Sequence, residues 1–288
     1  MQTVSQLDML RNTVSALRAG EKTLALVPTM GALHEGHLTL VREAKNHADH
    51  VAVSIFVNPT QFGPNEDLDA YPRQLAEDSA MLEAESVALL WAPTVSEMYP
   101  DGYASSISVA GVSEGLCGAA RPGHFDGVAT VVCKLFNQVR PDVALFGEKD
   151  WQQLAVIRRM ARDLDLIAPG ADAIIGVPTV READGLAMSS RNRYLSPEQR
   201  QQAAALPATI EMAIAMLRDG HEWGHVQAVA EDELLMGGFT QIDYFELRDA
   251  DSIATLDADN GNARIFVAAR IGGTRLIDNR AVGPTYVT

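Results

Sequence analysis

The chain is poor in several residue types, and each shortage removes a class of protein. It has two cysteines in 288 residues, Cys117 and Cys133. Their spacing suits no zinc site, and two thiols make no disulfide framework of the kind that staples small secreted domains. Both are expected as free thiols in a reducing compartment. Basic residues are also scarce, with 23 Lys and Arg against 38 Asp and Glu and a formal net charge of −15. That excludes the basic face a nucleic-acid partner requires. An anionic small molecule is not excluded, because it senses only the charges lining its own pocket. No apolar run approaches the roughly 20 residues of a membrane span. The first residues, MQTVSQLDMLRN, are polar where a signal peptide is apolar. The expected location is the cytoplasm, with neither membrane nor nucleic acid as partner. A G-x-x-x-x-G-K-[ST] loop, a Ser/His/Asp nucleophile elbow, an internal repeat and a low-complexity segment are all missing.

What remains is an ordinary globular composition, 47% hydrophobic and 21% charged, on a chain long enough for two domains. Val4, Leu7, Met9, Leu10, Val14 and Leu17 recur near helical spacing until Gly20 stops the helix. Apolar runs at Leu24–Val27, Val51–Val57, Val87–Trp91 and Val143–Phe146 read as buried parallel strands. Helical patterns separate them: one from the histidine turn to about His50, one over Tyr71–Glu85, one over Gly127–Val139, and one from about Asp150 to Asp163. A short strand is expected at Ser105–Val109. This alternation predicts an α/β fold, a Rossmann-like doubly wound parallel sheet with right-handed crossovers. A boundary near Gly176 divides the chain into residues 1–176 and 177–288. The second part reads as a smaller α+β domain. Its helices begin at Ser196-Pro197-Glu198 and run to about Met236, and its strands are Gln241–Arg248, Ala263–Ala269 and Thr274–Asp278.

Three predicted strand ends carry polar, glycine-bearing loops: Thr29–His37, Asn58–Gly63 and Gly147–Gln153. Ligands of open α/β sheets bind in the crevice outside such strand ends. The stretch Pro28–His37 places two glycines and two histidines between a strand and a helix, so free N–H groups and a helix dipole can meet an anion there. His34 and His37 admit three readings: a polar capped helix start, a metal pair, or donors to a nucleotide's phosphates. The zinc-protease motif needs His-Glu-x-x-His, whereas this chain has His-Glu-Gly-His and no supporting Cys/His cluster. Lys149 is either a solvated surface residue or a phosphate contact at a strand end. Met188-Ser189-Ser190-Arg191 is either a linker or a mobile flap closing over phosphates. Asn58, Gln61 and Gln153 are uncharged amides suited to a substrate bearing hydroxyl and carboxylate groups. Asp78 and Glu77 either face solvent or hold Mg²⁺, with solvent the better reading.

Five blocks together carry a resemblance: PTMGALHEGH, FVNPTQFGPNEDLDAYPR, RPGHFDGVATVV, LFGEKDWQQL and VPTVREADGLAMSSRNRYLS. The first is similar to the H-x-G-H signature of the nucleotidyltransferase superfamily. The set, spread over most of residues 24–197, resembles the pantothenate synthetase (pantoate–β-alanine ligase) family. The resemblance implies an AMP-forming carbon–nitrogen ligase. Pantoate would attack the α-phosphate of ATP to give pantoyl adenylate and pyrophosphate, and β-alanine would then attack the adenylate. By resemblance, Met30, Gly31, Ala32, Leu33, His34, Glu35, Gly36 and His37 contact ATP. So do Gly147, Glu148, Lys149, Asp150, Val180, Met188, Ser189, Ser190 and Arg191. Gln61 and Gln153, with Asn58 nearby, hold pantoate. His34, His37 and Lys149 form the catalytic set, with His37 assisting the leaving pyrophosphate. Mg²⁺ at Asp78, a homodimer, and a C-terminal domain closing over ATP are implied in the same way.

Overall fold

A computed structural model describes residues 1–63 and 68–283. The chain opens with strand β1 (Gln2–Val4), helix α1 (Leu7–Leu17), β2 (Leu24–Thr29), α2 (Glu35–Ala44) and β3 (His50–Ile55). It continues through α3 (Leu75–Ala84), β4 (Leu89–Trp91) and the short helices α4 (Val95–Met98) and α5 (Leu116–Ala120). Then come α6 (His124–Val139), β5 (Val143–Gly147), α7 (Trp151–Asp163) and β6 (Ile174–Val177). These strands form a six-stranded parallel sheet in the order β1-β4-β3-β2-β5-β6. Successive residues of β2 serve opposite faces. Leu24 and Leu26 pack with α1, α6 and α7, and Ala25 and Val27 pack with α2 and α3. The chain moves from β2 outward through β3 and β4, then crosses back to place β5 on the other side of β2. The carboxyl ends of β2 and β5 therefore flank a topological switch point, where such sheets bind ligands.

The remaining elements are α8 (Pro197–Gln202), α9 (Ala205–Arg218) and α10 (Trp223–Met236), with a three-stranded antiparallel sheet of β7 (Gln241–Asp249), β8 (Ala263–Ile271) and β9 (Thr274–Ala281). They share a separate core around Leu206, Ile210, Val226, Phe245 and Ile265. Among the described residues no helix is long and apolar enough to cross a membrane.

Three expectations need correction. Val4 closes an edge strand instead of starting a helix: its spacing to Leu7 and Leu10 mimics a helical stripe, but Gln2–Val4 pairs with β4. Ser105–Val109 is extended without being a strand. Ile107 and Val109 turn inward as alternation predicts, but the Ile107 N–H bonds the Thr130 hydroxyl (2.8 Å) and no neighbouring strand is present among the described residues. The third helix starts at Leu75 rather than Tyr71, leaving Tyr71 free to face the site. Ile174–Val177, where the sequence pattern offers only a domain boundary, is a strand paired with β5 at the sheet's edge. Pro64 and the other residues of the FVNPTQFGPNEDLDAYPR block at positions 64–67 lie outside the described residues.

Candidate active site

Two histidines cap helix α2. His34 is the N-cap, in extended backbone, and its Nδ1 accepts the Gly36 N–H at 3.2 Å. The His34 N–H in turn donates to His37 Nδ1 at 3.3 Å. This is a capping box built from imidazoles rather than from Ser and Glu. In a neutral ring whose Nδ1 accepts, the proton sits on Nε2, so each histidine has an Nε2–H left to donate. Desolvation first, then the positive charge of Lys149, lowers His34 from 6.5 to about 4. Desolvation first, then His34 and Lys149, lowers His37 to about 3. Both rings are therefore neutral donors near pH 7. Gly36 is needed for this packing: a Cβ there would lie 2.9 Å from His34 Cε1.

The turn before the histidines is fixed from behind by Asp78. Its carboxylate, 1% exposed, accepts the Ala32 and Leu33 N–H groups at 2.9 Å each. Ala32 holds a left-handed backbone (φ 51), costly for a residue with a Cβ. Gly31 beside it (φ 83) has Asp78 Oδ2 3.0 Å from where a Cβ would be. Asp78 is thus neither solvated nor available to a metal. Among the described residues no group of three or more His, Cys, Asp and Glu could hold one. The expected Mg²⁺ ligand does not fit a cation; it is the anchor of the histidine turn.

Asn58 is corrected in the same direction. It is 1% exposed and its polar atoms are spent: Oδ1 accepts from Thr60 N (3.3 Å) and Tyr99 OH (2.9 Å), and Nδ2 donates to Gly127 O and Gln61 Oε1 (both 3.1 Å). It stands behind Gln61 and orients it. With Gln61 Oε1 occupied, its Nε2–H₂ faces the cavity beside Met30 Sδ (2.9 Å). Arg121 and His124 hold the Gln61 carbonyl from the other side, at 3.2 and 2.8 Å.

Two cavities, of ≈ 220 and ≈ 410 Å³, meet here, with Lys149, Asp150, Gln153, Ser189 and Arg191 lining both. The smaller one gathers most of the residues expected from the sequence: Met30, His34, Gly36, His37, Gln61, Gly147, Val180, Met188 and Ser190 join those five. Gly31, Ala32 and Leu33 lie behind the wall on Asp78. Glu35 turns outward to pair with Arg42 on its own helix, and Glu148 points toward Gly176 of β6. Several wall residues escaped the sequence reading. Val128, Val131, Val132 and Leu135 of α6 make an apolar side. Tyr71, whose hydroxyl meets Ser190, is pushed up by burial. Met188 reaches the cavity through a short hairpin: Arg181 bridges Ala187, and Met188 N–H bonds Val180 O at 3.0 Å. Ser189 then caps a turn over Ser190–Tyr194 by accepting Arg191 N–H at 3.2 Å.

Neutral donors, a lysine and an arginine on one side, with amides and an apolar wall on the other, suit an anionic nucleotide beside a small polar acid. A family model described as Pantoate-beta-alanine ligase matches residues 2–281. The pantothenate synthetase of Novosphingobium aromaticivorans is 68% identical over 285 residues, 99% of this chain and 100% of the relative. That of Sphingopyxis alaskensis is 60% identical, covering 98% of this chain and 100% of the relative. The crystal structure of the Thermus thermophilus pantothenate synthetase superposes with a TM-score of 0.91 at 44% identity, over 99% of this chain and 100% of that one. The pantoate-beta-alanine ligase of Francisella tularensis, solved with beta-gamma ATP and beta-alanine, matches with a TM-score of 0.79 at 34% identity, over 98% of both chains. With a family match along nearly its whole length, a fold shared with solved members and a site of the right chemistry, the chain belongs to the pantoate–β-alanine ligase family.

Proposed function

We propose that the cavity between the ends of β2 and β5 is where this chain carries out its reaction, the ATP-dependent condensation of pantoate with β-alanine through pantoyl adenylate, releasing pyrophosphate and AMP. The observation that carries the site assignment is convergence: His34, His37, Lys149, Arg191, Gln61 and Gln153 line one cavity although 157 positions separate the first from the last in sequence (191 − 34). Gln61 and Gln153 take the pantoate carboxylate and hydroxyls, and the α6 wall takes its methyl groups. Lys149, Arg191, Ser189 and Ser190 face the phosphates. A carboxylate acylates poorly until its oxygen becomes part of a leaving group, and attack on the α-phosphorus makes it so. Charge then builds on pyrophosphate, where preorganised donors act most strongly. The neutral Nε2–H groups of His34 and His37 are such donors. His37 acts by donating a hydrogen bond, because its depressed pKa leaves no ring charge near neutrality. No protein nucleophile is required, and excluding water protects the adenylate until the amine arrives.

Magnesium is proposed to enter on the phosphate oxygens of ATP, since Asp78 is committed to backbone N–H groups. The part that follows β6, which ends at Val177 one residue past the expected boundary, is proposed to close over the nucleotide as a separate domain. Free thiols at Cys117 and Cys133 suit the cytoplasm. A homodimer is proposed through the extended segment 104–110, most of whose backbone finds no partner within the chain among the described residues.

The site assignment is tested by ATP–pyrophosphate exchange. Exchange should need pantoate and not β-alanine, and Gln61→Glu, which sets a carboxylate against that of pantoate, should raise the pantoate KM by about 10²-fold. Exchange without any carboxylate, or an unchanged KM in Gln61→Glu, would overturn it.

A further inference from the structure

The two loops proposed to face the phosphates are tied to adjacent residues of β9, one to Asn279 and the other, through Arg181, to Asp278. Asn279 is 4% exposed. Its Nδ2 donates to the Glu148 and Lys149 carbonyls at 3.0 and 2.9 Å, the two peptide units on either side of the Lys149 Cα. Its Oδ1 accepts from Arg264, whose guanidinium lies 3.6 Å from the ring centre of Trp151, the first residue of α7. The Asn279 amide therefore has one orientation, acceptor toward Arg264 and donors toward the loop. The preceding residue, Asp278, has a fully buried side chain and takes Arg181 in a two-pronged pair at 2.7 and 2.9 Å. Arg181 also donates to Gly185 O at 3.0 Å and so braces the hairpin that delivers Met188 to the cavity.

We infer that Asn279 is a positioning residue for Lys149: the C-terminal sheet holds the strand-end loop from behind, and β9 fixes the distance from Lys149 to the Met188–Arg191 segment. This gives the C-terminal part a share in assembling the phosphate side as well as in covering it. A small misplacement of a contact group costs on the order of 10²-fold in rate. The inference rests on the reading of Lys149 as a phosphate contact, and the experiment separates the two.

The test compares two half-reactions in the full-length protein. Pantoate-dependent ATP–pyrophosphate exchange reports adenylation, and the reaction of preformed pantoyl adenylate with β-alanine reports the step after pyrophosphate has gone. Asn279→Ala should lower kcat/KM for ATP in exchange by about 10- to 100-fold and leave aminolysis within about threefold. Asn279→Asp keeps an acceptor for Arg264 but cannot donate to the two carbonyls, so it should show the same selective loss. In a Lys149→Ala background, Asn279→Ala should cost nothing further, since residues acting as one unit are non-additive. Equal losses in both half-reactions would make Asn279 merely structural. Wild-type exchange in Asn279→Asp, or additive losses with Lys149→Ala, would also overturn the inference. If Lys149→Ala alone leaves exchange intact, the reading of Lys149 fails. If Lys149→Ala is impaired and Asn279→Ala is not, only the inference fails.

Discussion

Asp78→Asn separates an anchor from a metal ligand. In the folded chain the carboxylate receives two buried N–H groups, Ala32 and Leu33, at 2.9 Å each, and the Gln74 amide at 3.3 Å. Hydrogen bonds to a charged group contribute about 1.5–3 kcal/mol each. A side-chain amide keeps one oxygen for one of the two N–H groups and turns its own NH₂ toward the other. The cost is one charge-assisted bond and an unsatisfied buried donor, about 2–4 kcal/mol. Further strain follows because Ala32 loses part of what holds its left-handed backbone. At about 2–4 °C per kcal/mol for a chain near this size, the thermal midpoint should fall by roughly 4–16 °C. The histidine turn should shift with it, lowering kcat/KM for ATP by on the order of 10²-fold. The assay is thermal unfolding without nucleotide beside exchange kinetics over a range of Mg²⁺ concentrations. An unchanged midpoint, with activity restored by excess Mg²⁺, would refute the anchoring role.

Two further outcomes follow from the same geometry. The unfolded chain protonates His37 near pH 6.5 and the folded chain only near 3, so between those values the unfolded state binds more protons and stability falls as pH drops. The slope from this residue is at most about 1.4 kcal/mol per pH unit, less because the ring touches the cavity. His37→Asn should flatten the fall in denaturant-derived stability between pH 6 and 4 (roughly 1–2 kcal/mol), and an identical pH profile would show that His37 is not held neutral. The segment 104–110 can be tested by Ser106→Pro, which removes the N–H of an exposed residue in that segment. Sedimentation equilibrium should show a dimer in the wild type and a weaker one in the variant, and a wild-type monomer at every concentration would exclude the proposed interface.

What can be read from the chain and what cannot divides along a physical line. The β2–turn–α2 unit is legible because every signal is local: a continuous apolar run, two glycines, and histidines at the start of a helical stripe. The gathering of the three strand-end loops is legible too, because a parallel sheet leaves its carboxyl ends on one edge. Asp78 is not legible. On α3 it has acidic neighbours at Glu77 and Glu83 and reads as part of a solvated face, and the two backbone N–H groups it holds lie 45 and 46 positions upstream. Asn58 fails for a related reason: an amide serves a substrate or a buried loop equally well, and only the Gly127 and Tyr99 contacts decide between them. Asp278 and Asn279 are the extreme case, since the loop residues they hold are 97 to 131 positions away. The residues proposed to touch ligand sit in glycine-bearing loops with local signatures. The residues that hold those loops are ordinary polar side chains whose role exists only once distant elements have packed. A sequence therefore shows the loops that line the cavity and disguises their supports, which is why the buried anchors Asp78 and Asn58 read as a solvated carboxylate and a substrate-facing amide until the fold is in place.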